Sequence, residues 1–387
     1  MLQSPGEAAL RFWNTAELLR KMKSYRKTNS SIIAVVAIAC TLGLAVAQEN
    51  APRFDVDPSW PKPLPNNWTT GQVGGVCVDS HDNVFIVNRR NLTEKELLGA
   101  EQAPPIIEFD AAGTMVNAFG DPKVVPKSIH GCTTDLDGNV YVAGNQDGII
   151  QKYSAAGKLL MQIGTRGTVD TSDGVLTIQA GGGGFAGRAM NSSHTSFFQP
   201  ASIAIDPQNG DIYVADGYGN SRVAVFDRQG KFLRQWGRQG SKAEVEAGVG
   251  GVFMQVVHCV TIGNDGLVYV CDRQGDRIEV FDKQGNFKKN ILVHTGGPVP
   301  DLWGTTWWIG FSPDAEQKYM YVANGRNEQV HILDHASGRL LGSFGRPGHQ
   351  AGEFDHAHTL AVDSKGNIYV AETDWGERVQ KFKLQGN

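Results

Sequence analysis

Three histidines share one register in a repeated pattern. His130, His258 and His358 each stand eleven residues before a strand tyrosine: Tyr141 in DGNVYVA, Tyr269 in DGLVYVC and Tyr369 in KGNIYVA. Equal register in repeated units means equal position in space if the units close into a ring. Three neutral imidazoles converging on one axis, with a further position open, are the ligand set of a catalytic zinc site. Imidazole also suits iron or copper, so ligand type makes zinc the first choice among several metals. A single inner-strand histidine is more often a hydrogen-bonded channel filler; three at one register favour a metal. His356, two residues before His358, is a further candidate for the same mouth. His81, His294, His331, His335 and His349 are expected on turns or outer strands at the surface, and His194 in a long loop.

A second set of reactive side chains follows the strand aromatics. Arg89 lies four residues after Phe85, Arg273 four after Tyr269, and Tyr218 five after Tyr213. Two guanidinium groups at one register suit an anionic substrate group, which each can grip bidentately. A tyrosine beside a metal can serve as a base. The alternatives are ion pairs between blades for the arginines and packing over a turn for the tyrosine. Asp216 and Asp272 recur at one place and are expected to fix turns.

The elements that must carry these groups are short strands. The string HGCTTDLDGNVYVAG recurs with variation as ASIAIDPQNGDIYVADG, HCVTIGNDGLVYVCD and HTLAVDSKGNIYVAE. Its aromatic anchors are Phe85, Tyr141, Tyr213, Tyr269, Tyr321 and Tyr369, separated by 56, 72, 56, 52 and 48 residues. Each anchor strand is followed by further alternating sequence, such as SRVAVFDRQGKFLRQWG, in which DRQGK or DKQGN between the runs is a tight hairpin signal. Four short antiparallel strands per unit and repeats of this length predict propeller blades, which bury both faces only by closing into a disc. The fold class is all-β, a six-bladed β-propeller over residues 54–387. Alternate blades, two, four and six, carry the histidines and stand about 120° apart. At the matching offset, Gly74 and Gly310 fall in blades one and five, and Ala201 or Ser202 in blade three, leaving room for a metal and a ligand.

Composition narrows the partners. A net charge of −4 without a basic stripe gives no reason to expect nucleic acid. The chain opens with a basic run (Arg20 to Lys27) and the uncharged stretch Ser31–Ala47, ending Ala45-Val46-Ala47. That reads as a secretory signal over 1–47, followed by a linker over 48–53. The alternative is an uncleaved membrane anchor. A secreted, periplasmic or extracellular location follows, with membrane contact only through that segment. Cys77, Cys132, Cys259 and Cys271 remain after cleavage. Buried free thiols are the expected state, with two disulfides near the axis as the alternative. Residues 165–197 are expected to be an irregular surface loop; GGGGFAG within it lacks the strand–helix frame of a nucleotide loop.

On these residues the chain resembles the NHL-repeat propeller of peptidyl-α-hydroxyglycine α-amidating lyase, most closely in ADGYGNSRVAVFDRQGKFLRQWG. The resemblance runs from about GQVGGVCVDS to VQKF. It implies zinc on His130, His258 and His358, an active-site tyrosine at Tyr218, and active-site arginines at Arg89 and Arg273. It further implies a lyase that splits a carbinolamide N–C bond, releasing an amide and glyoxylate from a carboxylate-bearing peptide or small-molecule substrate. The family's calcium ligand after the last zinc histidine is Thr359 here, so the calcium site is not carried over. Its cysteine after the tyrosine is Gly219, and its methionine before the last zinc histidine is His356. No copper monooxygenase domain accompanies the repeats, so a separate monooxygenase is the expected substrate source. Two other readings stand beside this one: a non-catalytic secreted propeller that binds protein or ligand, and a calcium lactonase. The lactonase would need carboxylate and amide ligands on the axis.

Overall fold

The computed structural model describes residues 51–171, 174–177, 191–293 and 303–386. The proposed signal segment and His294 lie outside the described residues. The described chain forms six four-stranded antiparallel sheets. Their innermost strands are Val73–Val78, Ile129–Thr134, Pro200–Ile205, Val257–Ile262, Trp308–Phe311 and Ala357–Val362. Each inner strand packs on that of the next blade, and the last packs on the first, which closes the ring. The molecule is a six-bladed β-propeller.

The second strand of each blade carries the anchor aromatic, and all six anchors are buried: Phe85, Tyr141, Tyr213, Tyr269, Tyr321 and Tyr369. Burying a ring with a hydroxyl requires a partner for the hydroxyl. In blades two, four and six a turn aspartate supplies it, and in blade three the Lys283 carbonyl accepts from Tyr213. Asp135 accepts from Tyr141, Asp265 from Tyr269 and Asp363 from Tyr369. Asp135 and Asp363 also cap their turns by accepting main-chain N–H groups from Asn139 and Asn367. In blades two and six the D-x-x-G-N string is thus both turn and tyrosine anchor.

Closure uses a strand that the repeat pattern leaves unassigned. Phe54–Asp57 pairs antiparallel with Val379–Leu384 and becomes the outermost strand of blade six. The first strand of the propeller therefore locks its last blade.

Inner-strand pairing slips at one place in five blades: Val73/Gly75, Ile129/Cys132, Pro200/Ser202, Val257/Cys259 and Ala357/Thr359. The residues inside these irregularities include Gly74, His130, Ala201, His258 and His358. A β-bulge re-aims a side chain that ordinary alternation would send elsewhere. Here it turns one residue per blade toward the axis.

Four expectations need correction. The cysteines are not free thiols: Cys77 bonds Cys132 between blades one and two, and Cys259 bonds Cys271 within blade four. Cys259 faces Cys271 directly across the strand pair, so their Cα atoms are only 4.9 Å apart. His331 and His335 are buried, not on the surface. His335 donates from Nδ1 to the Gln317 carbonyl and meets the Tyr269 hydroxyl through Nε2, because the long hairpin of blade five folds over it. The 165–197 segment is not wholly irregular: Thr168–Thr171 pairs with Gly174–Thr177, and Phe197 is buried. Finally, Gly310 is not the axial residue of blade five. Gly310 pairs with Tyr321, as Thr261 pairs with Tyr269, so the position three residues earlier, Trp307, matches His258. A hairpin three residues longer shifts the count from eleven to fourteen.

Candidate metal centre

The ring at the channel mouth is Gly74, His130, Ala201, His258, Trp307 and His358. The three imidazoles are buried and offer ligand atoms that all lie within 4.8 Å of one another. Each ring is held the same way. His130 Nδ1 donates to the Ala201 carbonyl at 2.8 Å, His258 to Trp307 at 2.6 Å, and His358 to Gly74 at 2.8 Å. Every acceptor is the equivalent residue of the next blade. A carbonyl can only accept, so each Nδ1 carries the proton and each Nε2 presents a lone pair. Fixing the tautomer through the far nitrogen is how metal-binding histidines are oriented.

Electrostatics keep these rings neutral. Burial lowers all three imidazole pKa values well below 6.5, and Arg89, together with neighbouring imidazoles or Arg273, lowers them further. Neutral rings are the metal-binding form.

Tyr218 completes the constellation. Its hydroxyl lies 3.0 Å from His130 Nε2 and 3.1 Å from His258 Nε2. A phenol has one proton and can donate to only one of these acceptors. The centre therefore presents more nitrogen lone pairs than protons to satisfy them, a deficit that a divalent cation would fill. Four-coordinate zinc holds nitrogen donors about 3.4 Å apart, so ring shifts of about 1 Å would close this set on one ion. The residues fit a metal. Among the described residues this is the group of His, Cys, Asp and Glu side chains that could hold one.

Two glycines bring Tyr218 to this point. A Cβ on Gly217 would lie 2.2 Å from the Val257 main-chain oxygen, and one on Gly219 would lie 2.4 Å from the Phe198 ring. Blade three's turn can thus press against the strand that carries His258. Upstream, Asp216 accepts the Phe198 N–H and binds buried Arg222. In blade four, Asp272 likewise accepts the Met254 N–H and binds Arg277. These acids tie the segment entering each inner strand, which matches their expected turn-fixing role.

The arginines differ in their surroundings. Arg273 is buried and donates to the Tyr218 hydroxyl at 3.3 Å, while its guanidinium lies 4.8 Å from the Trp307 ring. Its Nε has no hydrogen-bond partner. Arg89 is half-buried and donates from Nη1 to Gln72 Oε1 at 2.7 Å. Its Nε reaches the Ile129 carbonyl at 3.4 Å. Neither arginine forms an ion pair among the described residues, so the alternative of salt bridges between blades is not realised. His356 stands apart from the three ligands. Its Nε2 is 3.0 Å from Asp374, whose carboxylate raises the imidazole's pKa. Thr359 gives its hydroxyl oxygen to the Val76 N–H of blade one.

Sequence reasoning misses Trp307, Gln72 and Asp374. Trp307 is hidden by the longer hairpin, which a strand-pairing count from Tyr321 would expose. Gln72 and Asp374 sit in loops outside the repeat register, where sequence gives no signal.

Comparison with known proteins agrees with this architecture. The NHL repeat pattern matches residues 197–226, the segment carrying Tyr218. The chain is 27% identical over 349 residues to peptidyl-glycine alpha-amidating monooxygenase A of Xenopus laevis, covering 83% of this chain and 32% of that protein. It therefore spans about a third of that relative's length. It is 26% identical over 377 residues to peptidyl-alpha-hydroxyglycine alpha-amidating lyase 2 of Drosophila melanogaster, covering 88% of this chain and 81% of that one. A streptogramin B lyase structure superposes with a TM-score of 0.52 at 14% identity, over 87% of this chain and 98% of the other, a likeness of fold alone. The chain is thus a six-bladed β-propeller with an NHL repeat match at residues 197–226 and sequence similarity, along most of its length, to proteins named peptidyl-alpha-hydroxyglycine alpha-amidating lyase.

Proposed function

We propose that the protein is a zinc-dependent lyase that cleaves a peptidyl-α-hydroxyglycine, or a related carbinolamide, into an amide and glyoxylate. One observation carries this reading: the Tyr218 hydroxyl stands against two of three converging Nε2 lone pairs and one buried guanidinium. Bound by His130, His258 and His358, zinc would supply Lewis acidity to a substrate hydroxyl or carboxylate oxygen.

The chain's own residues do the rest. Arg273 and Arg89 grip the substrate carboxylate and set the α-carbon before Tyr218. Tyr218, acting as its phenolate, accepts the proton of the α-hydroxyl. The oxygen's electron pair forms the C=O of glyoxylate as the C–N bond breaks. The amide nitrogen takes the bonding pair and a proton returned through Tyr218, so atoms balance and no oxidant is needed. Trp307 packs on Arg273 and keeps bulk water from that side of the carboxylate.

The paired cysteines accord with an oxidising compartment. A secreted or periplasmic location fits that and the N-terminal signal pattern. A separate monooxygenase would supply the hydroxylated substrate. The test is glyoxylate release from an N-acyl-α-hydroxyglycine by the zinc-loaded protein. Release abolished in Tyr218→Phe supports the proposal; a zinc-loaded wild type no faster than buffer rejects it.

A further inference from the structure

We infer that Trp308 is the floor of the metal chamber, sealing the propeller's central channel just beneath the three imidazoles. The inference rests on the proposed three-histidine metal site. Trp308 stands one residue further along the inner strand of blade five than Trp307, hence one step deeper than the histidine ring. Its indole does not stay beside its own blade. A Cβ built on Gly131 would meet the Trp308 Cη2 at 2.8 Å. Gly131 belongs to blade two, which faces blade five across a ring of six. The indole therefore spans the axis from one side to the other.

Its surroundings fit a partition. The Trp308 ring centroid lies 6.3 Å from that of His258, with the rings at 84°. Beneath it is a cavity of about 270 Å³ lined by all six inner strands, through residues such as Val76, Thr133, Ile203, Thr261, Gly310 and Leu360. Trp308 itself lines that cavity and is 7% exposed. The channel thus has two compartments, metal ligands above and a separate space below, with one indole between them. Gly131 is part of the device, because any side chain there would occupy the space of the indole's tip.

The consequence concerns access. An apolar shell around a metal site controls which side solvent and ligands approach from. With the floor in place, substrate, product and water reach the ligands only through the mouth lined by Arg89, Arg273 and Tyr218. Without it, small molecules gain a second route from the opposite face.

The test is the rate of metal loss to a small chelator, dipicolinate, from zinc-loaded wild type, Trp308→Ala and Trp308→Phe, with zinc content and unfolding midpoint measured for each. We expect Trp308→Ala to lose zinc about tenfold faster than wild type at equal starting content, with Trp308→Phe in between, as an opened shell predicts. Equal rates in all three would overturn the floor while leaving the metal site standing. A wild type that holds no zinc would overturn the metal reading and the floor with it. If Trp308→Ala does not fold, the wild type and Trp308→Phe decide the matter, since a phenyl ring is too short to reach Gly131.

Discussion

The Nδ1–H of His258 donates to the main-chain oxygen of Trp307 across 2.6 Å, from blade four to blade five. The same Trp307 presents its indole to the Arg273 guanidinium at 4.8 Å. One residue therefore holds the proposed metal ligand His258 with its backbone and the proposed carboxylate-binding Arg273 with its side chain. The two roles can be separated by substitution, because only the indole depends on residue type.

Trp307→Leu keeps the carbonyl and removes the ring. A cation–π contact of about 1–2 kcal/mol in a desolvated site predicts a KM rise of about tenfold for a carboxylate substrate. Metal content stays at the wild-type level. Steady-state kinetics and metal analysis on one preparation check both halves.

Tyr218→Phe removes the hydroxyl between His130 and His258 and leaves the ring. Loss of a proton-transfer group predicts a fall in kcat of about 10²–10⁴. Metal binding survives, since the imidazoles keep their carbonyl partners. A variant that lost its metal as well would make the tyrosine a ligand and not a base.

Gly217→Ala tests placement without touching any functional atom. The added methyl meets the Val257 oxygen at 2.2 Å, so the turn must move away from blade four and carry Tyr218 with it. An ångström-scale displacement predicts a loss of activity of about 100-fold. Unchanged kinetics would mean that the Tyr218 position is set elsewhere.

The metal-free protein should weaken in acid through its three central histidines. Their folded pKa values lie well below 6.5, so the unfolded chain binds more protons once the pH falls below about 6.5. Their contribution is complete above that pH and is lost progressively as pH drops toward the folded values. Buried Glu279, pushed up to about 7, acts in the opposite direction, so wild type alone does not isolate the effect. The difference in urea stability between wild type and His258→Gln does. It should change by up to about 1.4 kcal/mol per pH unit across this window. A pH-independent difference would contradict the buried, neutral state of His258.

Much of the site is legible in the amino-acid sequence. The register of His130, His258 and His358 relative to Tyr141, Tyr269 and Tyr369 holds because their hairpins are equally long, so counting residues measures distance. The same count fails in blade five, where a longer hairpin moves the axial position from Gly310 to Trp307. Six blades are readable from the aromatic anchors. The closing strand Phe54–Asp57 is not, because it lies outside the repeats and pairs with the far end of the chain. Cysteine pairing is hidden for a similar reason: Cys77 and Cys132 meet only because adjacent inner strands pack together. Gln72 and Asp374, which hold Arg89 and His356, are loop contacts that depend on backbone path and not on periodicity.

The central claim is a metal held by three imidazoles, and metal content by mass spectrometry on wild type and His258→Ala tests it most directly. The account predicts about one zinc per wild-type chain, as a single three-histidine site requires, and its loss in the folded variant. A folded wild type that neither carries zinc nor takes it up on addition would contradict the account and reduce the three histidines to channel filling.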